Sequence, residues 1–190
     1  MKLKGILPFA RFLLDEFLQE GDTAVDATCG NGNDTLYLAK KVGKSGSIFG
    51  FDIQEQAIEN TGKKLREHNE NNQVTLVHAS HASIKAEIPE VHHGRVKAAI
   101  FNLGYLPGGD KEVVTSPAST LKAVEQLLEI MAKVSILILV IYSGHPEGKV
   151  EKDKVLKYAM SLDQKNYHVL QYNFINQKND PPFIIAIEKR

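Results

Sequence analysis

An α/β fold is predicted by three features of the 190-residue chain. Its expected architecture is a seven-stranded, mostly parallel sheet with helices on both faces and an antiparallel C-terminal hairpin. Short apolar, β-branched runs alternate with amphipathic stretches of helical period, the pattern of right-handed βαβ units. The run "SILILVIY" is apolar almost throughout, as a central parallel strand buried on both faces must be. The last two strand-like segments are joined by a short polar connection, which suits antiparallel pairing.

The elements follow in order. Residues 7–18 place Phe9, Phe12, Leu13 and Phe17 at helical spacing, and Gly21 ends the helix. "TAVDAT" is a buried first strand, residues 35–42 a helix stopped by Gly43, and "SIFGFDI" a second strand. Residues 54–68 form a polar amphipathic helix, and "QVTLVHA" is a third strand. Residues 80–95 read as a short helix and a loop around Pro89. "VKAAIFNLG" is the fourth strand. Residues 117–133 form a helix with proline in its first turn and Ser116 as its cap. "SILILVIY" is followed by a helix over 150–162, and "YHVLQYNFI" and "PFIIAIEK" close the chain. No repeat, linker or low-complexity stretch interrupts this order, so one domain over 1–190 is expected.

Hydrophobic residues make up 43% and charged residues 24%, with 23 basic against 23 acidic side chains. No global basic field advertises a nucleic-acid partner, although local patches are compatible with zero net charge. Cys29 is the single cysteine, so an intrachain disulfide is excluded and a reducing cytoplasm is the expected setting. The N-terminal stretch is broken by Pro8, Arg11, Asp15 and Glu16, unlike a signal peptide, and no run suggests a membrane span.

The chemistry concentrates in "VDATCGNGND". It ends the first strand, where ligands of such sheets bind. Gly30 and Gly32 let the backbone turn tightly and approach a ligand. A dinucleotide fingerprint wants a further glycine where Thr35 stands. Asp26 and Asp34 are poor company for a pyrophosphate and better company for a ligand with cationic groups. Asp52, followed by Ile53 and Gln54 at the end of the second strand, is placed to accept both ribose hydroxyls. Ribose, cationic groups and no required phosphate describe S-adenosylmethionine.

"VDATCGNGNDT" followed by "GFDIQ" resembles motifs I and II of Rossmann-like class I S-adenosylmethionine-dependent methyltransferases. That resemblance implies that the loop around Cys29, Gly30, Asn31, Gly32 and Asn33 wraps the methionine part. It also implies that Asp52 holds the ribose and that Ser80 and His81 flank the adenine. With Asp26, Asp34 and Gln54, these are the candidate cofactor residues. After the fourth strand such enzymes carry the residues facing the methyl group. Here "FNLGYLPGGDK" offers Asn102 to orient an amine and Tyr105 to stack on a base, while Leu103 and Gly104 replace the usual prolines. "NLGYLPGGDK" with "YSGHPEG" is similar to a narrower group, the YtqB/MnmM type, tRNA 5-aminomethyl-2-thiouridine methyltransferases once assigned to rRNA. The resemblance implies methylation of an aliphatic amine on a wobble uridine of tRNA. Tyr142, Ser143 and His145 face the same crevice, His145 as a candidate proton acceptor.

Rival readings are an rRNA methyltransferase, a methyltransferase for a small-molecule amine, a catalytically silent nucleotide-binding module, and an NAD enzyme, against which Thr35 speaks. Cys29 is expected to be inert, and no metal is expected because His78, His81, His92 and His93 lack the spacing of a zinc site. For the anticodon arm of tRNA, Lys111, Arg95, Lys97, Lys149, Lys152 and Lys154 are expected near the ligand edge, with "NQKNDPP" as a substrate lip. A homodimer is the default expectation for a soluble oligomer.

Overall fold

The computed structural model describes residues 2–103, 115–142, 144, 146–178 and 180–190. Helix α1 (Ile6–Phe17) precedes β1 (Thr23–Asp26), α2 (Asn33–Val42), β2 (Ser47–Asp52), α3 (Glu55–Glu67) and β3 (Val74–His78). A 3₁₀ turn leads into the four-residue α4 (Ile84–Glu87), then β4 (Val96–Leu103), α5 (Pro117–Ile130), β5 (Met131–Ile141), α6 (Pro146–Ser161), β6 (Tyr167–Tyr172) and β7 (Phe183–Lys189). The sheet order is β3-β2-β1-β4-β5-β7-β6. Strands β1 to β5 pair in parallel, and β7 lies antiparallel between β5 and β6. The expected seven-stranded sheet and C-terminal hairpin are therefore present. The chain inserts its last strand between β5 and β6 rather than adding it at the edge.

Alternation along the strands divides the core in two. Ala24, Ile48, Ile100, Ile138 and Val140 face α1, α2 and α3, joining Leu14, Leu38, Val42 and Leu65. Val25, Phe49, Phe51, Phe101, Leu139 and Ile141 face the opposite layer, where Ile84, Leu127, Val155 and Ala159 cover them. β5 is apolar on both faces because both faces are covered.

Four boundaries differ from the sequence expectation by three residues or more. α5 ends at Ile130 instead of Lys133, and β5 starts at Met131. The Lys189 ammonium donates to the Leu128 and Met131 carbonyls, occupying acceptors that a further helical turn would have used. β6 stops at Tyr172 because its partner Ile184 is next to the first residue of β7. Tyr172 instead stacks on Phe9, with ring centroids 3.8 Å apart. α6 begins at Pro146, one turn earlier than the apolar spacing indicates. Ser116 caps α5 as expected, accepting from the Ser119 N–H. No helix among the described residues is long and apolar enough to cross a membrane.

Candidate functional site

The same alternation that divides the core assembles the site. Asp26 pairs in register with Gly50 on one side and Ile100 on the other. Counting in twos from there brings Asp52, Asn102 and Tyr142 to the face that carries α1 and α2. The β1–α2 loop crosses their carboxyl ends. Its course is fixed by main-chain bonds: Ala27 N–H donates to Ile100 O at 2.9 Å, and Cys29 N–H to Phe51 O at 2.8 Å. Gly30 and Gly32 adopt φ values of 52° and 72°, left-handed backbone that a side chain resists. A Cβ on Gly32 would come within 2.9 Å of the Thr61 Cα and hydroxyl in α3.

Asp52 is the clasp of this loop. One carboxylate oxygen accepts from Gly30 N–H at 2.9 Å, the other from Gln54 N–H at 2.9 Å. Gln54 thus enters through its backbone, as the residue preceding α3. Beside the carboxylate, Ile53 is 50% exposed, an apolar side chain that the sequence reading passed over.

Asp26 is fully buried and accepts from the Thr35 hydroxyl at 2.6 Å and Thr28 N–H at 3.2 Å. Burial, reinforced by the charges of Asp34 and Asp52, pushes its pKa up to about 7. Thr35 therefore occupies the dinucleotide-fingerprint glycine position because its hydroxyl satisfies a buried carboxylate, which glycine cannot do. Cys29 is buried, and desolvation followed by the nearby Asp26 charge drives its thiol pKa well up. A neutral, enclosed thiol is a poor nucleophile.

Asp34 is not a free charge. Its Oδ1 meets Arg11 Nη2 at 3.2 Å and its Oδ2 accepts from Asn102 Nδ2 at 2.7 Å. Arg11 also lies over the Tyr37 ring, 4.8 Å from its centroid. Tyr37 in turn donates to Asp15 at 2.7 Å, so α1 is stapled to α2 beside the loop. Sequence reasoning had no means to bring Arg11, 23 residues upstream, to Asp34. Asn102 is held a second time, its N–H donating to the Thr28 hydroxyl at 2.7 Å. Leu7, Arg11, Cys29, Asn31, Asn102 and Tyr142 are among the residues that enclose a cavity of about 400 Å³ here, the size of a small-ligand site. Gly30, Asn33 and Asp34 also line it. Burial, then the Asp34 charge, raises the Tyr142 pKa, so its phenol stays protonated near neutrality.

Ser80 and His81 stand apart from that cavity's wall. Ser80 accepts from Ala82 N–H, capping the 3₁₀ turn after β3. His81 is 8% exposed, pairs with the Ser119 hydroxyl at 3.2 Å and meets Phe101 edge-on. Burial lowers its pKa and keeps it neutral. Tyr105 and His145, with Ser143, Lys111 and Asn179, lie outside the described residues. Of the expected basic contacts, Arg95 and Lys97 are corrected. Val96 is in register with the first residues of β1 and β5, so both cations sit at the amino edge of the sheet, opposite the site. Lys97 there donates to the Lys133 carbonyl. Lys149 pairs with Asp180 at 3.1 Å, and Lys152 lies 6.0 Å from the Phe183 ring centroid. His78, His92 and His93 each bond a separate partner, and no metal-holding group occurs among the described residues.

Residues 48–188 match the family described as "Putative rRNA methylase". The chain belongs to this family. The methyltransferase is similar to the chloroplastic tRNA (mnm(5)s(2)U34)-methyltransferase of Arabidopsis thaliana, 34% identical over 95% of this chain and 68% of that protein. An rRNA-methylase crystal structure from Clostridium thermocellum, titled "putative", superposes with a TM-score of 0.96 at 44% identity over the whole of both chains. A "putative methyltransferase" of Streptococcus mutans in complex with SAH has a TM-score of 0.89 at 37% identity over 99% of each chain. The fold is the Rossmann-like class I methyltransferase fold, the protein is an S-adenosylmethionine-dependent methyltransferase, and S-adenosylmethionine is its cofactor. The residues present suit that group. Gly32 lets the loop pack against α3 where a Cβ would meet Thr61, Gly30 offers its N–H to Asp52, and the paired carboxylate of Asp52 keeps lone pairs for hydroxyls.

Proposed function

We propose that this methyltransferase methylates the aminomethyl nitrogen of a wobble 5-aminomethyl-(2-thio)uridine in tRNA, giving methylaminomethyl. The observation that carries the reading is the Asn102 side-chain amide at the carboxyl end of β4, across one cavity from the Gly30–Asn33 loop. The Arabidopsis relative's name supports the choice of tRNA. In this reading Asp52 holds the ribose through the lone pairs its two backbone partners leave free. The loop of Cys29, Gly30, Asn31, Gly32 and Asn33 lies along the methionine part, and Ser80 and His81 border the adenine.

When bound, S-adenosylmethionine supplies a methyl group on a cationic sulfur, open to a neutral amine. An alkylamine resembles lysine, with a reference pKa of about 10.4, and only its neutral form has the lone pair. The crevice removes the amine from water, which favours that form. Asn102 accepts an N–H and orients the nitrogen, and Tyr142 packs beside it. Tyr105 and His145 complete the acceptor side, Tyr105 against the pyrimidine. Alignment supplies much of the rate, so a strong base is not required.

The test is incubation with methyl-labelled S-adenosylmethionine and aminomethyl-bearing, unmodified or total tRNA, followed by nucleoside mass spectrometry. Label in methylaminomethyl uridine supports the reading, and label only in rRNA or in a small metabolite refutes it. The family's description favours rRNA as the second reading, decided in the same experiment.

A further inference from the structure

We propose that Asp34 is a positioning residue that fixes which end of the Asn102 amide faces the acceptor. The inference rests on the reading of this crevice as an amine methyltransferase site. An asparagine amide has a donor end and an acceptor end of nearly equal shape. A free Asn102 would present either. The Asp34 carboxylate can only accept, and its Oδ2 takes Asn102 Nδ2 at 2.7 Å. Its other oxygen is engaged by Arg11 at 3.2 Å, and the Asn102 backbone is pinned to Thr28. Among the described residues, Asn102 Oδ1 has no hydrogen-bond partner, and the side chain lines the cavity.

The orientation matters to an amine. A carbonyl oxygen toward the acceptor takes an N–H and leaves the nitrogen lone pair free for the methyl carbon. An NH₂ in the same place would donate into that lone pair and occupy it. A hydrogen bond to a charged partner biases the two orientations by on the order of ten- to a hundredfold. The site thereby selects acceptors that carry an N–H, such as a primary alkylamine, over a bare ring nitrogen. Asp34 acts through Asn102: Arg11 offsets its charge, Asn102 takes its other oxygen, and in this reading the cofactor rests on Asp52 and the glycine loop.

The exchange of donor and acceptor between the two positions is the decisive test. In Asp34→Asn the donor-only Arg11 keeps the new Oδ1, so the new NH₂ turns to Asn102 and reverses its preferred end. In this variant kcat is expected to fall about 10- to 100-fold, the size of that reversed bias. KM and the calorimetric Kd for S-adenosylmethionine are expected to stay within about threefold, because no cofactor bond is removed. Asn102→Asp sets two carboxylates against each other and is expected to lose at least as much activity. In the double variant Asp34→Asn/Asn102→Asp the new amide donates to the new carboxylate, which again shows an acceptor oxygen to the amine. It is expected to recover on the order of tenfold over Asn102→Asp. A second readout needs neither turnover nor cofactor. The Asn102 side-chain amide protons, assigned by their loss in Asn102→Asp, exchange slowly in ligand-free wild type and at least tenfold faster in Asp34→Asn. The proposal fails if Asp34→Asn keeps wild-type kcat, if the double variant shows no recovery, or if the wild-type amide exchanges at the free rate. Loss of kcat in parallel with cofactor affinity and melting temperature likewise overturns it, in favour of a structural role. A wild-type protein that transfers no methyl group to any amine sinks the underlying reading instead, whatever the exchange data show.

Discussion

Replacing Asp52 by asparagine puts the cofactor assignment at risk with the least change of shape. In the wild type the two carboxylate oxygens accept from Gly30 and Gln54 N–H, each at 2.9 Å. An ionised carboxylate has about four lone-pair sites, so two remain for the ribose hydroxyls. An asparagine keeps one oxygen and turns an NH₂ toward either Gly30 or Gln54, donor against donor. Asp52 is only half-buried, so water softens the loss, and the ligand-free protein is expected to lose about 1 kcal/mol. The ligand fares worse. With Asp52 in the proposed ribose role, one of two charge-assisted bonds disappears and the other becomes neutral, together about 2–4 kcal/mol, or on the order of 30- to 1,000-fold in Kd. Calorimetric titration of wild type and Asp52→Asn with S-adenosylmethionine and with S-adenosylhomocysteine measures this. Both ligands carry the ribose, so both must weaken alike. A variant that binds either within threefold of wild type would refute the ribose role, and loss confined to the sulfonium ligand would assign the carboxylate to charge instead.

Asp26 gives a pH signature. Its folded pKa of about 7 lies above the ordinary 3.8, so the folded state holds a proton that the unfolded chain releases. Stability on its account is greatest below the unfolded value, falls as pH rises through that window and is fully lost above 7, by at most about 4 kcal/mol for a shift of this size. Melting curves from pH 4 to 8 should therefore slope less for Asp26→Asn than for wild type, and equal slopes would contradict the assignment. In β2, a Cβ on Gly50 would lie 2.6 Å from the Cys29 sulfur and 3.0 Å from Leu76. Gly50→Ala is expected to cost about 1–3 kcal/mol in denaturant unfolding. Adding Cys29→Ala should restore most of that, and additive effects would deny the contact. Gly32→Ala combines a left-handed φ with the approach to Thr61 and is expected to cost about 2–4 kcal/mol and weaken cofactor binding. A loss under 0.5 kcal/mol, by the same measurement, would mean that the loop relaxes freely. Chelators are expected to leave methyl transfer unchanged, since the described residues hold no metal-binding group. Inhibition reversed by a divalent cation would show otherwise.

The sequence by itself determined the strands, the helices and the end of the sheet that carries the glycine loop and Asp52. Those depend on local periodicity and on glycine and carboxylate positions within single βα units. "TAVDATCGNGND" holds the loop's conformation in its own glycines, and Asp52 follows from the next strand. Boundaries at Met131 and Tyr172 escaped because distant partners set them, the Lys189 ammonium in one case and the limits of β7 in the other. The tertiary structure alone brought Arg11 and Asn102 to opposite oxygens of Asp34, 23 and 68 residues away in the chain. It also moved Arg95 and Lys97 to the far edge of the sheet, because strand direction, not proximity in sequence to the motif, decides which end a residue occupies. Local pattern fixes which way a side chain points from its own strand. What it points at depends on which strands the crossovers make neighbours and in what register, and that is a property of the whole packed sheet.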